Sequence, residues 1–420
     1  MIRPLDLNTN GAETDSLLAP NPAGAVDAPI ASLFHIKRLG RRATNQRRVV
    51  AQPMIGSLEK LIDWSAIQVM TLMMPAKEYD WRLEEALRFL KGPDFVPTDS
   101  QPAQVEFSGP VHFRFPAPRP CEFTENNVVH GRLYRCPERW QERPVIILLP
   151  GYNDSASYQL RFPLLARRYN RAGFNVATLV PPYHFQRCPR QRAEFDAGDC
   201  LYWAERAAQA VAEIRALTGW LLEEGCPAVA LWGYSLGAGF AGMTVCHDAR
   251  LAAVVMAAPP ARLRPCDYRL AIRPSIRRRW QSVRELCEPL NLTALSLTTT
   301  QPAIPRERIL LIEGIHDSLC LKDDIEDLWQ AWGQPDIWRL PCGHVRVCCG
   351  GVPGLPSRVL RWLAPRFEKL LIHETHAVAS FNERAGGKGR TPSLFHAGHR
   401  RSALPQHQRS VPSSCPNFPV

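Results

Sequence analysis

The chain has 420 residues, of which 45% are apolar, and carries a formal net charge of +11 at pH 7. This length and apolar content allow a large folded core, and no apolar run approaches the roughly 20 residues that cross a bilayer. The positive charge is concentrated in residues 1–50, 261–280 and 376–420, which carry +3, +6 and +5, so the rest of the chain is slightly acidic. We therefore expect no nucleic-acid-binding module.

Two features of the sequence indicate the cellular compartment. The segment that follows Met1 is polar and lacks the apolar stretch of a secretory signal. The 13 cysteines are odd in number and scattered along the chain, which favours reduced thiols over a disulfide framework. We predict a cytoplasmic protein.

Composition divides the chain into four segments. Residues 1–50 and the basic tail 376–420 show no sustained apolar periodicity and are predicted to be disordered. Residues 51–103 form a helical extension, with apolar residues at helical spacing from 57 to 74 and again from 83 to 90. These helices either pack on the main domain, residues 104–375, or form a surface that docks a membrane or a partner.

The main domain is predicted to have an α/β fold. Residues 104–134 contain short alternating runs that are typical of antiparallel strands. From residue 145 onward, strands alternate with helices, which indicates a mostly parallel sheet with helices on both faces. The gap between Ala257 and Pro305 is too long for a simple loop and contains a helix-like stretch at 275–288. The buried strands are predicted at 145–149, 174–180, 227–232, 251–256, 309–314 and 337–340, and helices at 158–171 and 203–224.

The most informative stretch is Gly233-Tyr234-Ser235-Leu236-Gly237, which lies between an apolar strand and the small-residue start of a helix. A strand that turns sharply into a helix holds the serine at its apex in a strained, exposed geometry. The residues two before and two after that serine then lie close together, and here both are glycine. The pattern therefore predicts a nucleophilic Ser235.

Polar residues also follow three other predicted strands. Tyr152 follows the strand that ends in Pro-Gly, Asp317 follows the strand at 309–314, and His344 follows the last strand. The order serine, acid, histidine is that of the α/β-hydrolases. Over about residues 105 to 372 the sequence resembles that superfamily, and most of all the poorly characterised abhydrolase-domain proteins.

The resemblance implies roles for five residues and a helical cap near residues 258–305. Ser235 would be the nucleophile, Asp317 the acid and His344 the base. The backbone N–H groups of Tyr152 and Leu236 would form the oxyanion hole. The stretch before Tyr152 reads Pro-Gly, where many members of the superfamily have His-Gly.

Residue chemistry agrees with these roles. A serine hydroxyl is a weak nucleophile at neutral pH, so an imidazole must accept its proton, and a carboxylate must orient that imidazole. We expect a serine hydrolase that cleaves a carboxylic ester, or else an amide or thioester, through an acyl-enzyme and without a cofactor. The alternative is a non-catalytic protein of the same fold that acts by binding a partner or a membrane.

Other polar residues leave alternatives open. Asp323 and Asp324 lie close enough in sequence to compete with Asp317 as the acid, and His184 either lines the site or is structural. The arginine-rich stretch 261–280 is one of two things. It is a solvated face, or it attracts an anionic ester substrate or an acidic membrane surface. A zinc site is not expected, because the spacing fits no usual ligand pattern in the group formed by Cys342, His344, Cys348 and Cys349.

Overall fold

The computed structural model describes residues 52–72, 82–92, 95–96, 100–189, 199–263 and 270–367. The predictions of disorder for residues 1–50 and 376–420 lie outside the described residues. All described residues belong to one compact unit, which ends at Leu371. The division into an extension and a main domain stays a prediction.

A nine-stranded sheet forms the centre of the fold, in the spatial order β1-β2-β3-β5-β4-β6-β7-β8-β9. The first three strands pair antiparallel, and β3 pairs antiparallel with β5, whereas all the remaining neighbours are parallel. The predicted α/β fold with a mostly parallel sheet is confirmed. The strands are β1 (Glu106–Ser108), β2 (His112–Pro116), β3 (Val128–Tyr134), β4 (Val145–Leu149), β5 (Asn175–Leu179), β6 (Val229–Tyr234), β7 (Ala253–Ala257), β8 (Ile309–Gly314) and β9 (Asp336–Leu340).

Helices pack against the sheet, and two further helices precede its first strand in the chain. A last helix runs through residues 355–367. The others are α1 (Gln52–Leu72), α2 (Leu83–Lys91), α3 (Phe162–Asn170), α4 (Cys200–Glu223), α5 (Leu236–Val245), α6 (Pro274–Leu290), α7 (Lys322–Ala331) and α8 (His344–Cys348). None of the helices in the described ranges is long and apolar enough to cross a membrane.

The central strands bury every side chain, which explains their continuous apolar runs. All residues of β4, β6, β7 and β8 are buried, as expected for parallel strands with helices on both faces. The order reverses at β4, because β5 lies on one side of it and β6 on the other. Ligands of open α/β sheets bind at the carboxyl ends of strands beside such a reversal, so the loops after β4 and β6 mark the place to examine.

The helix predicted from residue 57 is present as α1, but its buried face differs from the apolar pattern. Leu58, Leu61 and Val69 are each more than half exposed. The buried face instead carries Glu59 and Asp63, both completely buried. Part of the apolar face of this helix is thus exposed, and the carboxylates on its buried face accept backbone N–H groups.

The insertion between β7 and β8 contains the predicted helix as α6. Its described parts are residues 258–263 and 270–305. Arg277 on α6 is exposed and donates from Nη2 to the carbonyl oxygen of Ala271 at 2.9 Å. The role of this insertion as a cap over Ser235 stays a prediction.

Candidate active site

Ser235 lies in a strained turn between β6 and α5. Its backbone angles are φ 50° and ψ −120°, a conformation that is costly for any residue with a Cβ and that persists only where neighbouring structure imposes it. The N–H of Ser235 donates to the carbonyl oxygen of Ala257 at 2.9 Å. The turn is thereby tied to the end of the neighbouring strand β7.

The two glycines around Ser235 make this turn possible. A Cβ on Gly233 would lie 2.2 Å from the carbonyl oxygen of Gly237, and a Cβ on Gly237 would lie 2.4 Å from that of Leu149. No real Cβ approaches backbone so closely, so neither position accepts a side chain without moving the main chain. The close approach predicted from the sequence is confirmed.

The structure brings Ser235, Asp317 and His344 together from the segments that follow β6, β8 and β9. Nε2 of His344 lies 3.0 Å from Oγ of Ser235, and Nδ1 of His344 lies 2.8 Å from Oδ2 of Asp317. Asp317 and His344 are buried, whereas Ser235 is partly exposed. A substrate can therefore reach the hydroxyl while the two residues behind it are shielded from water.

The second carboxylate oxygen of Asp317, Oδ1, also accepts hydrogen bonds, which hold the carboxylate in place. Oδ1 accepts the backbone N–H groups of Leu319 at 2.8 Å and Cys320 at 2.7 Å. These bonds occupy Oδ1 and fix the direction of Oδ2. The two competing acids, Asp323 and Asp324, lie instead in the first turn of α7.

The surroundings of His344 raise its pKa well above the usual value. Burial opposes the imidazolium and lowers the pKa, but the neighbouring groups, above all Cys348 and the carboxylate of Asp317, raise it by more. We assign most of the increase to Asp317, which is in direct contact with Nδ1. A carboxylate at hydrogen-bond distance is the standard cause of such an increase.

Buried thiols surround the imidazole. Sγ of Cys348 lies 3.6 Å from Nε2 of His344, and burial raises the pKa of Cys320 to about 12, which keeps that group a neutral thiol. Cys320 was not singled out from the sequence, because nothing local marks it. Its position depends on the turn that follows Asp317.

Donor atoms of Asp317, Cys320 and His344 lie within 4.8 Å of one another, close enough to hold a metal ion. This group differs from the cysteine-rich set considered from the sequence. The hydrogen bonds already made by the carboxylate and the protonated thiol fit a hydrogen-bonded triad better than a set of metal ligands, since ligands must be deprotonated.

The loop after β4 approaches Ser235 closely. A Cβ on Gly151 would lie 3.4 Å from the Cβ of Ser235, so the main chain of this loop passes directly beside the hydroxyl. The backbone N–H groups of Tyr152 and Leu236 donate to no acceptor among the described residues. Two such donors beside a nucleophile are what an oxyanion hole requires.

His184 is buried near this loop and is neutral. Its Nδ1 donates to the carbonyl oxygen of Pro182 at 2.8 Å, and its ring packs edge-on against Tyr152 with centroids 5.5 Å apart. Burial lowers the pKa of His184 to about 3. These contacts favour the structural interpretation, in which the ring supports the loop from beneath.

A small apolar cavity lies against α5, beside the turn that carries Ser235. Its volume is about 40 Å³, and Leu236, the residue after Ser235, lines it. The other lining residues come from α4, α5 and the insertion and include Ala207, Phe240, Met243, Leu263 and Leu297.

Two carboxylates on α1, to which no sequence motif assigned a role, accept hydrogen bonds from the segment that carries His344. Asp63 accepts the N–H of His344 at 2.9 Å, and Glu59 accepts that of Gly343 at 2.9 Å. The spacing of Glu59 and Asp63, four residues apart on one helix face, is the sequence signal that could have marked them.

Comparison with known families gives a match for part of the chain. Residues 93–262 match the model of a family described as "Alpha/beta hydrolase domain containing 18". An uncharacterised protein of Mycobacterium tuberculosis, from two strains, is 29% identical over 235 residues, which are 53% of this chain and 54% of the relative. The chain thus spans about half the length of the curated relatives it matches.

Solved structures of esterases are similar at low sequence identity. An acetyl xylan esterase from a Thermoanaerobacterium species has a TM-score of 0.45 and 14% identity, covering 68% of this chain and 93% of its own. An esterase from Pyrococcus furiosus has a TM-score of 0.41 and 18% identity, covering 64% and 100%. At these TM-scores the likeness carries no argument about activity.

Proposed function

We propose that this chain, which belongs to the α/β-hydrolase superfamily, is a serine hydrolase that cleaves a carboxylic ester through an acyl-enzyme. One observation carries the proposal. Oγ of Ser235, the imidazole of His344 and the carboxylate of Asp317 form a continuous chain of contacts at 3.0 and 2.8 Å. This is the geometry that nucleophilic catalysis by serine requires.

In the first half-reaction, Oγ of Ser235 attacks the ester carbonyl carbon while Nε2 of His344 takes the hydroxyl proton. The carbonyl π electrons move to the oxygen, where the N–H groups of Tyr152 and Leu236 stabilise the negative charge. Asp317 orients the imidazole and stabilises the imidazolium. The tetrahedral intermediate collapses, and the alcohol leaves with the proton from His344.

In the second half-reaction, water replaces the alcohol. The water oxygen attacks the acyl carbon while Nε2 of His344 takes a proton from the water. The second tetrahedral intermediate then expels Oγ of Ser235, which takes that proton back from Nε2. The products are a carboxylic acid and the free enzyme. Amides and thioesters would follow the same steps with a different leaving group.

The apolar cavity beside Leu236 suggests a short acyl chain. A volume of about 40 Å³ accommodates roughly three water-sized groups. We expect kcat/KM for p-nitrophenyl esters to be highest for acyl chains of roughly two to four carbons, since longer chains would leave methylenes in water at about 0.8 kcal/mol each. A panel of esters from acetate to octanoate measures this preference.

Two variants make the chain-length test specific. Met243→Ala enlarges the cavity and should move the preferred ester to a longer chain, whereas Leu160→Ala, at a residue that is 69% exposed, should leave the preference unchanged. If Met243→Ala has the same chain-length profile as the wild type, the acyl group does not enter this cavity. Absence of turnover on every ester, with the protein folded, would favour the non-catalytic alternative.

Activity should depend on the protonation of His344. The imidazole must be neutral to accept the proton of Ser235, so kcat/KM should rise as pH increases through the pKa of His344. Because that pKa is raised, the midpoint should lie above the ordinary value of about 6.5. A pH profile measures the midpoint, and a flat profile, or activity that falls as pH rises through that range, would contradict the role of His344 as base.

A further inference from the structure

The inner face of α1 carries two carboxylates that have no role in the proposed chemistry. Gly56, Glu59, Asp63 and Ile67 lie at intervals of three and four residues, which places them along one side of the helix, and all four are buried. Burying a carboxylate is costly unless hydrogen bonds compensate. The partners of these two groups therefore indicate what the helix does.

Asp63 binds both loops that carry the acid and the base of the proposed triad. Its Oδ2 accepts the backbone N–H of Ser318 at 3.0 Å and that of His344 at 2.9 Å, and its Oδ1 accepts the N–H of Val345 at 3.1 Å. Ser318 directly follows Asp317. A single side chain thus joins the segment of the acid to the segment of the base.

Glu59 extends the same contact by one helical turn. Its Oε2 accepts the N–H of Gly343 at 2.9 Å, and its Oε1 accepts a guanidinium N–H of Arg346. Three successive backbone N–H groups, those of residues 343, 344 and 345, are therefore received by the two carboxylates of α1. A Cβ at Gly343 would lie 2.8 Å from both carboxylate oxygens of Asp63, so a side chain at this position would displace that carboxylate.

The rest of the inner face packs on neighbouring parts of the same region. Gly56 lies against the ring of His316, which a Cβ would approach to 2.9 Å. Ile67 packs with Ala271 and Ile276 of the insertion, and Nε2 of Gln68 donates to the carbonyl oxygen of Leu270 at 2.8 Å. Helix α1 is thus attached to the acid loop, the histidine loop and the insertion at once.

We propose that α1 holds the catalytic acid and base in register, with Asp63 as the positioning residue that joins their two loops. Asp63 acts through the backbone of these loops, since its oxygens accept main-chain N–H groups. The effect on turnover rests on the proposed function, whereas the effect on the contact between His344 and Asp317 does not. A displacement of about 1 Å at a reacting group can lower a rate by about 100-fold.

A graded pair of substitutions tests this positioning. Asp63→Asn retains one acceptor oxygen and therefore keeps part of the bonding, whereas Asp63→Ala removes all of it. We expect kcat to fall by about 10-fold for Asp63→Asn and by about 100-fold or more for Asp63→Ala, with KM changed much less. The matched control is Asp323→Asn, at an exposed carboxylate on α7, which should keep wild-type kcat.

A second measurement does not require activity. The proton between Nδ1 of His344 and Asp317 should give a low-field proton resonance in the wild-type protein that is absent from His344→Ala. The proposal predicts that this resonance is lost or broadened in Asp63→Ala and in Gly343→Ala, while the melting curve still shows a folded protein. The second variant disturbs the same contact from the loop side and leaves the carboxylate present.

The outcomes separate the two proposals. If the wild type hydrolyses esters and Asp63→Ala retains its kcat and its resonance, the positioning role is wrong and the proposed function stands. If the wild type has no activity but the resonance depends on Asp63, the positioning role stands and the proposed function is wrong. An unchanged resonance in both Asp63→Ala and Gly343→Ala would overturn the role of α1 in either case.

Discussion

Replacing Ser235 with alanine is expected to lower kcat for ester hydrolysis by about 10⁴- to 10⁶-fold, with little change in melting temperature. The substitution removes the hydroxyl that attacks the carbonyl but keeps the Cβ, so the strained turn at φ 50° is as costly for alanine as for serine. Residual turnover would come from substrate binding and the oxyanion donors alone. Steady-state kinetics with the preferred p-nitrophenyl ester measures the effect.

The matched control is Ser275→Ala, at an exposed serine in the first turn of α6, which should retain wild-type kcat. A Ser235→Ala protein that keeps more than about a tenth of wild-type kcat would remove Ser235 from the mechanism. Equal losses in both variants would instead indicate a general effect on folding.

Replacing Asp317 with asparagine should lower kcat by about 10⁴-fold and leave the fold intact. An amide can still accept the N–H groups of Leu319 and Cys320, which now bond to Oδ1. Its NH₂ group would then face Nδ1 of His344 and favour the tautomer that carries its proton on Nε2. That tautomer cannot accept the proton of Ser235.

The asparagine variants of Asp323 and Asp324 are the controls for the choice of acid. Both residues lie in the first turn of α7, and their variants should stay active. If Asp317→Asn keeps its activity while Asp324→Asn loses it, our assignment of the acid is wrong although the reaction class remains. The pH profile gives a second check, because loss of the charge on Asp317 should lower the pKa of His344.

Much of the sheet could be predicted from the sequence because its strands are buried on both faces. Val145–Leu149 is a continuous apolar run and Ile309–Gly314 begins with four apolar residues, and the structure places strands at these same residues. The sharp turn at Ser235 was also predictable, since its need for a glycine two residues before and two residues after the serine follows from local geometry. The order of the polar residues after the strands then suggested which loops would meet.

The support around the site could not be predicted, because it depends on contacts between distant segments. Asp63 and His344 are 281 residues apart. No local pattern in the sequence indicates that the carboxylate of Asp63 accepts the backbone N–H of His344. The exposed Leu58 and Leu61 made the opposite face of α1 look like the buried one. Cys320 reaches the imidazole only because the chain turns back after Asp317.

Covalent labelling with a fluorophosphonate tests the central claim most directly. The probe phosphorus forms a bond with an activated serine oxygen and releases fluoride, so the adduct marks the nucleophile itself. We predict that the wild-type protein is labelled, that peptide mass analysis locates the adduct on Ser235, and that Ser235→Ala is not labelled. Equal labelling of the two proteins, or an adduct on another residue, would contradict the claim that Ser235 is the nucleophile.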